Sequence, residues 1–380
     1  MGENATVTGP IINWIDWEAL GISNHILLGM GKGALDDYAF VVPLFVDRAL
    51  IPSDRYKGKT ISVTGTITAK PFPFEGANIK VTDLSQIVVE AAPLPDASLQ
   101  TKILVEGLVY VACPRWHNDK LWISDVYARQ VMTVDLTGKT EIIVKVPGQP
   151  AGLGWLPDGR LLVVDMTNKR LLRLDPEGLT EAADLSGLAS GNWTSMVVDS
   201  LGRAYIGNFG LTVINKGSFK IGEAELVLVT PDGKAQVVAT NMVIPNGMVV
   251  TPNGRTLIVA ETFRSRLTAF TIQSDGSLTE RRTWANFDTG FYPAGICLDV
   301  QGGIWAANSG GNEVFRVLEG GEITHKVQVS TIPYACALGG TDGRTLFILT
   351  AESNLPGVPD EANAKGNGRI ETIRVDVPGV

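Results

Sequence analysis

From residue 102 onward, short unbroken apolar runs alternate with polar pairs suited to tight turns. The clearest unit is residues 151–165, Ala-Gly-Leu-Gly-Trp-Leu-Pro-Asp-Gly-Arg-Leu-Leu-Val-Val-Asp, followed by Asn-Lys-Arg-Leu-Leu-Arg-Leu-Asp at 168–175. A run such as Leu-Leu-Val-Val is too short for a globular helix and apolar at every position, which predicts a strand buried on both faces. The Asp158-Gly159 pair supplies the positive φ that a two-residue hairpin needs. The unit therefore reads strand, turn, strand, turn, strand.

The pattern recurs at 246–260 with 266–272 and at 294–306 with 312–317, and more loosely at 114–125, 195–206 and 335–348. The turn glycines Gly159, Gly202, Gly254, Gly302 and Gly343 lie roughly 40 to 50 residues apart, the length of one four-stranded propeller blade. A β-sandwich would repeat turn signals about every 8 to 12 residues, without a longer unit. Six copies predict an all-β, six-bladed β-propeller over residues 99–380. Ring closure is expected between the strand pattern at 369–376 and one near 102–105.

Residues 1–98 lack the repeat. Residues 53–67 and 77–89 alternate like paired strands, with a third apolar stretch at 38–46. These features predict an N-terminal small β module, OB-like in its closing strands, or a lid. Pro93 and Pro95 mark the linker. OB folds that hold single-stranded nucleic acid use basic grooves and stacking aromatics, and this segment offers few of either.

Composition narrows the class further. Forty-two glycines and 20 prolines without a G-X-Y period fit many short strands and few helices. A formal charge of -8 argues against nucleic acid as a partner. The N-terminus lacks a basic segment followed by an apolar one, and no run of about 18 apolar residues occurs, so a soluble, cytoplasmic protein without membrane partners is expected. Cys113, Cys297 and Cys336 cannot all pair; their apolar settings read as buried small hydrophobes in a reducing compartment. None of the three histidines sits in an HExxH spacing, the glycines at 29–33 lack the terminal Lys-Ser/Thr of a phosphate loop, and no Gly-x-Ser-x-Gly elbow is present. The expected partner is a small molecule.

In a propeller the inner strands converge on a central channel, so the residues opening each inner strand meet at one mouth. These are Ala112, Ala151, Thr194, Asn246, Ala294 and Tyr334. Over residues 109–377 the chain resembles the SMP-30/gluconolactonase/luciferin-regenerating-enzyme family. Its blade signatures look like Cys-Pro-Arg-Trp-His-Asn-Asp-Lys-Leu-Trp-Ile-Ser-Asp, Pro-Asn-Gly-Met-Val-Val-Thr-Pro-Asn-Gly-Arg and Gly-Ile-Cys-Leu-Asp here. The resemblance implies one divalent cation held by a Glu, two Asn and an Asp from different blades, polarising a lactone carbonyl and activating water. Carried over residue by residue, the Glu falls on Ala112, the Asp on Ala294 and an Asn-Asp pair on Thr194-Ser195; only Asn246 remains.

One amide cannot hold a hard dication against water, so no metal and no other cofactor is expected. The carboxylates nearest along the repeat, Glu106, Asp165 and Glu261, are expected to make turn or inter-blade hydrogen bonds instead. Met166, Trp193, Phe209, Phe291, Tyr292 and Tyr334 on the neighbouring loops imply a mouth more apolar than a sugar-lactone site. The expected catalytic residues are Asn246, Tyr292 and Tyr334. Ala112, Met166, Trp193, Thr194, Ser195, Phe209, Phe291 and Ala294 are expected to bind substrate. The activity the resemblance implies is hydrolysis of a small, fairly apolar lactone or related cyclic compound. The alternatives are a metal-independent cyclase, isomerase or lyase on the same scaffold, or a non-catalytic ligand-binding propeller.

Overall fold

The computed structural model describes residues 101–380, apart from 190, 216–217, 289 and 353–365, together with the backbone of six strands among the first hundred residues. Within 211–221 it likewise describes the strand backbone alone. Two compact units emerge, Met1–Asp96 and Ala97–Val380.

The N-terminal unit holds β1 (Asn4–Asp16), β2 (His25–Met30), β3 (Val42–Asp47), β4 (Thr60–Ala69), β5 (Ala77–Val81) and β6 (Ile87–Val89). The first half of β1 pairs with β4 and its second half with β2, so one long strand passes from one side of a barrel to the other. Strand β2 continues to β3, β3 runs parallel to β5, and β5 returns antiparallel to β4. The circuit β1-β2-β3-β5-β4-β1 is closed, which is the strand order of an OB-type barrel and removes the free edges of an open sheet. Strand β6 extends the β5 side along Ile61–Val63 of β4.

The second unit is the expected propeller: six four-stranded antiparallel sheets whose inner strands form a ring. The inner strands are Val111–His117, Pro150–Trp155, Trp193–Val198, Pro245–Val250, Pro293–Leu298 and Ile332–Gly339, belonging to blades 1 to 6. Blade 3 carries an extra hairpin, Leu211–Asn215 with Ser218–Ile221. Strand Lys102–Leu108 supplies the outermost strand of blade 6 by pairing with Gly368–Arg374, so the chain closes its own ring. Among the described residues the only helix is a 3-10 turn, Thr262–Arg264, and none is long and apolar enough to cross a membrane.

Burial follows the apolar runs. Second strands such as Leu161–Asp165, Ala204–Asn208 and Ile304–Asn308 are buried throughout, because each blade is sandwiched between two others. Outermost strands such as Ala235–Met242 and Leu278–Asn286 are mostly open to water and correspondingly polar. Trp193, Trp305, Tyr205, Phe315 and Phe347 fill the space between blades. The hairpin turns take positive φ where expected, at Gly159, Gly202, Gly254, Gly302 and Gly343. In blade 1 Asn118 and Asp119 do the same without glycine.

Candidate functional site

The inner strands share one irregularity. Each shifts register against its neighbour once, between Ala112 and Arg115, Pro150 and Leu153, Trp193 and Met196, Pro245 and Met248, Pro293 and Ile296, and Pro333 and Ala335. A bulge frees the residues inside it from the ladder and re-aims their side chains. Those residues include Cys113, Ala151, Thr194, Asn246, Ala294 and Tyr334, one per blade, and all six line a single cavity. Glycine follows the bulge where backbones touch: a Cβ on Gly247 would lie 2.4 Å from the Ile296 amide nitrogen and 2.6 Å from the Ala294 carbonyl oxygen.

The cavity measures about 1120 Å³, just above the usual range for small-molecule sites. Of the residues expected from the sequence, it brings together Ala112, Met166, Thr194, Ser195, Phe209, Asn246, Tyr292, Ala294 and Tyr334. Two it does not. Trp193 is fully buried in the cluster between blades, and Phe291 packs on Phe287 and Phe315 with the Lys326 ammonium over its ring. Both stand beside a bulge, on the side that faces the core rather than the channel. One wall is a tyrosine cluster: Tyr110 has Tyr127 and Tyr334 each 5.5 Å away between ring centroids. Across the ring, Phe263 and Tyr292 meet edge to face at 5.5 Å.

The polar groups form a chain along one side. Ser195 Oγ donates to Asn246 Oδ1 (3.3 Å), Asn246 Nδ2 donates to Thr262 Oγ1 (3.4 Å), and Thr262 Oγ1 donates to the Pro293 carbonyl (2.9 Å). The first two bonds are long, so the amide is held in place yet can be recruited by an entering oxygen. Cys113 occupies its bulge with φ of 51°, a conformation rare outside glycine, and its Sγ lies 3.7 Å from Ser195 Oγ. Cys113 and Cys297 are half-buried and only Cys336 is buried, a correction to the expectation of three buried thiols. Cys113 and Cys336 both line the cavity because the inner strands present them to the channel. Burial pushes the Cys113 thiol up, against the opposing pull of Arg115, and pushes the Tyr110 phenol well up.

Among the described residues that line the cavity there is no Asp, Glu, His or Lys. The acidic side chains nearest along the repeat are committed elsewhere. Asp125, Asp165, Asn208, Glu261 and Asn308 each end a second strand, buried, at the same place in five blades. They brace the backbone of the mouth loops: Tyr110 N donates to Asp125, Val243 N to Glu261 and Tyr292 N to Asn308. Asp165 is taken up by Asn168 and Arg170, and Glu261 by Arg264, Arg266, Arg281 and Thr268. Glu106 is exposed on the strand that closes the ring. Among the described residues no cluster of three His, Cys, Asp or Glu could hold a metal ion. Ala112, Thr194, Ser195, Asn246 and Ala294 offer neutral oxygens or none, a donor set that does not fit a hard dication.

Sequence reasoning missed Arg115, Tyr110, Tyr127, Gln149, Thr262 and Phe263, all of which line the cavity. Arg115 was legible only as one letter of a blade signature; the register shift beside it decides that its side chain enters the channel. The others sit in mouth loops, where the repeat carries no constant residue to align.

A family model described as SMP-30/Gluconolactonase/LRE-like region matches residues 111–352. A 6-deoxy-6-sulfogluconolactonase of Pseudomonas putida is 24% identical over 273 residues, which is 70% of this chain and 91% of that protein. A gluconolactonase of Zymomonas mobilis is 22% identical over 326 residues, 77% of this chain and 90% of that one. Among solved structures, a calcium-binding regucalcin from Agrobacterium tumefaciens superposes with a TM-score of 0.62 at 20% identity, covering 74% of this chain and 96% of its own.

Proposed function

This chain belongs to the SMP-30/Gluconolactonase/LRE-like family, and from that premise we propose that it is a lactonase-like hydrolase acting without a protein-held metal ion on a cyclic ester larger and more apolar than a sugar lactone. The observation that carries the reading is the lining of the channel cavity, aromatic on two sides, with hydrogen-bonding groups from Ser195, Asn246 and Thr262 on a third and no carboxylate among the described residues. In this reading the lactone carbonyl oxygen displaces Thr262 as acceptor of the Asn246 Nδ2 hydrogen, and Ser195 Oγ turns to donate beside it. Charge developing on that oxygen is stabilised by donors already in place. The tyrosine wall holds the apolar body and excludes bulk water. Among the described residues no group with a pKa ordinarily near 7 faces the cavity, so the attacking water is deprotonated by solvent hydroxide and the rate climbs steadily from pH 6 to 9.

The same absence of an acid or base favours a second reading, a cyclase, isomerase or lyase in which the cavity orients a reactive substrate and polarises one oxygen. Mass separates the two. The full-length protein, treated with EDTA, is incubated with sugar lactones and with alkyl- and aryl-substituted lactones in ¹⁸O-labelled water. The proposal expects turnover of the apolar lactones in EDTA, with one labelled oxygen in the product acid. Turnover that returns only with added divalent ion, or no hydrolysis of any lactone, overturns it; an isomeric product of unchanged mass establishes the second reading.

A further inference from the structure

We propose that the floor of the cavity is an anion subsite: the ligand carries a carboxylate that pairs with Arg115 while its flat apolar body lies between the aromatic walls. This deepens the lactone reading and takes its substrate from that reading. Arg115 belongs to the inner strand of blade 1, yet its Nη2 donates to the Met196 carbonyl of blade 3 at 2.5 Å, and its Nη1 to the Pro114 carbonyl at 2.9 Å. Blades 1 and 3 are not neighbours in a six-membered ring, so the side chain must cross the channel. Two of the five guanidinium N–H donors are used by these carbonyls, which hold the group in place.

What Arg115 lacks among the described residues is a counter-charge. The two arginines buried in the blades each have one, whereas Arg115 is half-buried: Arg203 pairs with Asp199 and Arg316 with Asp299, each at 2.6 Å and each pair buried. Arg115 has no carboxylate partner among the described residues; the ionisable groups acting on it are the thiols of Cys113 and Cys297. Burial pushes both thiols up, so both are neutral at pH 7. Burial likewise pulls the Arg115 guanidinium down, since two carbonyls replace only part of its lost hydration.

Two guanidiniums, Arg115 and Arg129, line the cavity and among the described residues no acid does, which gives it a positive potential although the whole chain carries a formal charge of -8. A planar guanidinium suits a carboxylate, whose two oxygens match its paired N–H groups. The aromatic walls, Tyr110 with Tyr127 and Tyr334 against Phe263 with Tyr292, suit a ring system above it.

The test uses the full-length protein and three matched pairs: coumarin-3-carboxylate, 2-naphthoate and benzoate, each against its methyl ester, with affinities measured calorimetrically at pH 7. The expected result is a preference for the acid of about 10²-fold, the scale of a buried charge pair. It should disappear in Arg115→Met and survive in part in Arg115→Lys. Equal binding of acid and ester across all three pairs overturns the proposal, and so does a preference that persists in Arg115→Met. Should Arg115→Met fail to fold for want of its Met196 contact, the acid-to-ester ratio of the wild-type protein and of Arg115→Lys decides. Naphthoate and benzoate contain no lactone, so the subsite stands or falls separately from lactone hydrolysis.

Discussion

Replacing Glu261 by Gln removes the charge from a carboxylate that is fully buried, yet surrounded by three guanidiniums. Its oxygens accept from Arg266 at 2.6 and 2.8 Å, Thr268 at 2.6 Å, Val243 N at 3.0 Å, Arg264 at 3.2 Å and Arg281 at 3.3 Å. Gln keeps the size but turns an –NH₂ toward donors. Breaking a fully buried ion pair costs about 3–5 kcal/mol; these arginines stay 25–37% exposed and can rehydrate, so the loss should be nearer 2–3 kcal/mol. For a unit of about 280 residues, with an unfolding entropy of roughly 2 cal/mol/K per residue, that lowers Tm by about 4–5 °C at pH 7.

The effect must also depend on pH. Burial alone would raise the Glu261 pKa, but Thr268, Arg266 and the Val243 amide overcome it and hold the carboxyl below its ordinary value. A group whose folded pKa is depressed stabilises the fold above its unfolded pKa, about 4.3, and loses that contribution as the pH falls through the folded value. Scanning calorimetry of both proteins should therefore show the full Tm gap from pH 7 down to about 5, then a gap that narrows steadily with further acidification. A gap below 1 °C at pH 7, or one that stays constant to pH 3.5, would refute the reasoning. Val243 lies three residues before Asn246, so the variant should also lose turnover at pH 7 as the mouth loop loosens.

Asn246→Asp keeps shape and turn propensity but removes the amide donor; it should cost roughly 10²- to 10³-fold in kcat/KM on an accepted lactone, with little change in Tm. Unchanged turnover would reduce Asn246 to a turn residue. The double variant Ala112→Glu with Ala294→Asp puts carboxylates where the family resemblance expects them. It should gain a Ca²⁺-dependent rise in Tm of a few degrees, since ligand at about 100 times Kd adds about 2.7 kcal/mol, while the wild-type Tm stays put. A rise in the wild type, or none in the variant, counts against the account of the ligand positions.

The sequence by itself determined the ring. Runs such as Leu161-Leu162-Val163-Val164 can be satisfied only by burial on both faces, and positive-φ turns such as Asp158-Gly159 space those runs into blades; both are local properties, repeated six times. The ring-closing strand was legible too, because its partner had to be an unpaired apolar run at the other end of the repeat. That alanine stands at positions 112 and 294 was readable directly, since the blade repeat fixes which residue opens each inner strand. Which side chains reach the channel was decided by tertiary structure. A one-place register shift sends Asn246 inward, while Trp193, at the edge of its own shift, turns into the core. Nothing along residues 111–117 announces that Arg115 will cross to a blade some 80 residues away, because that contact exists only once six strands have been brought around a common axis.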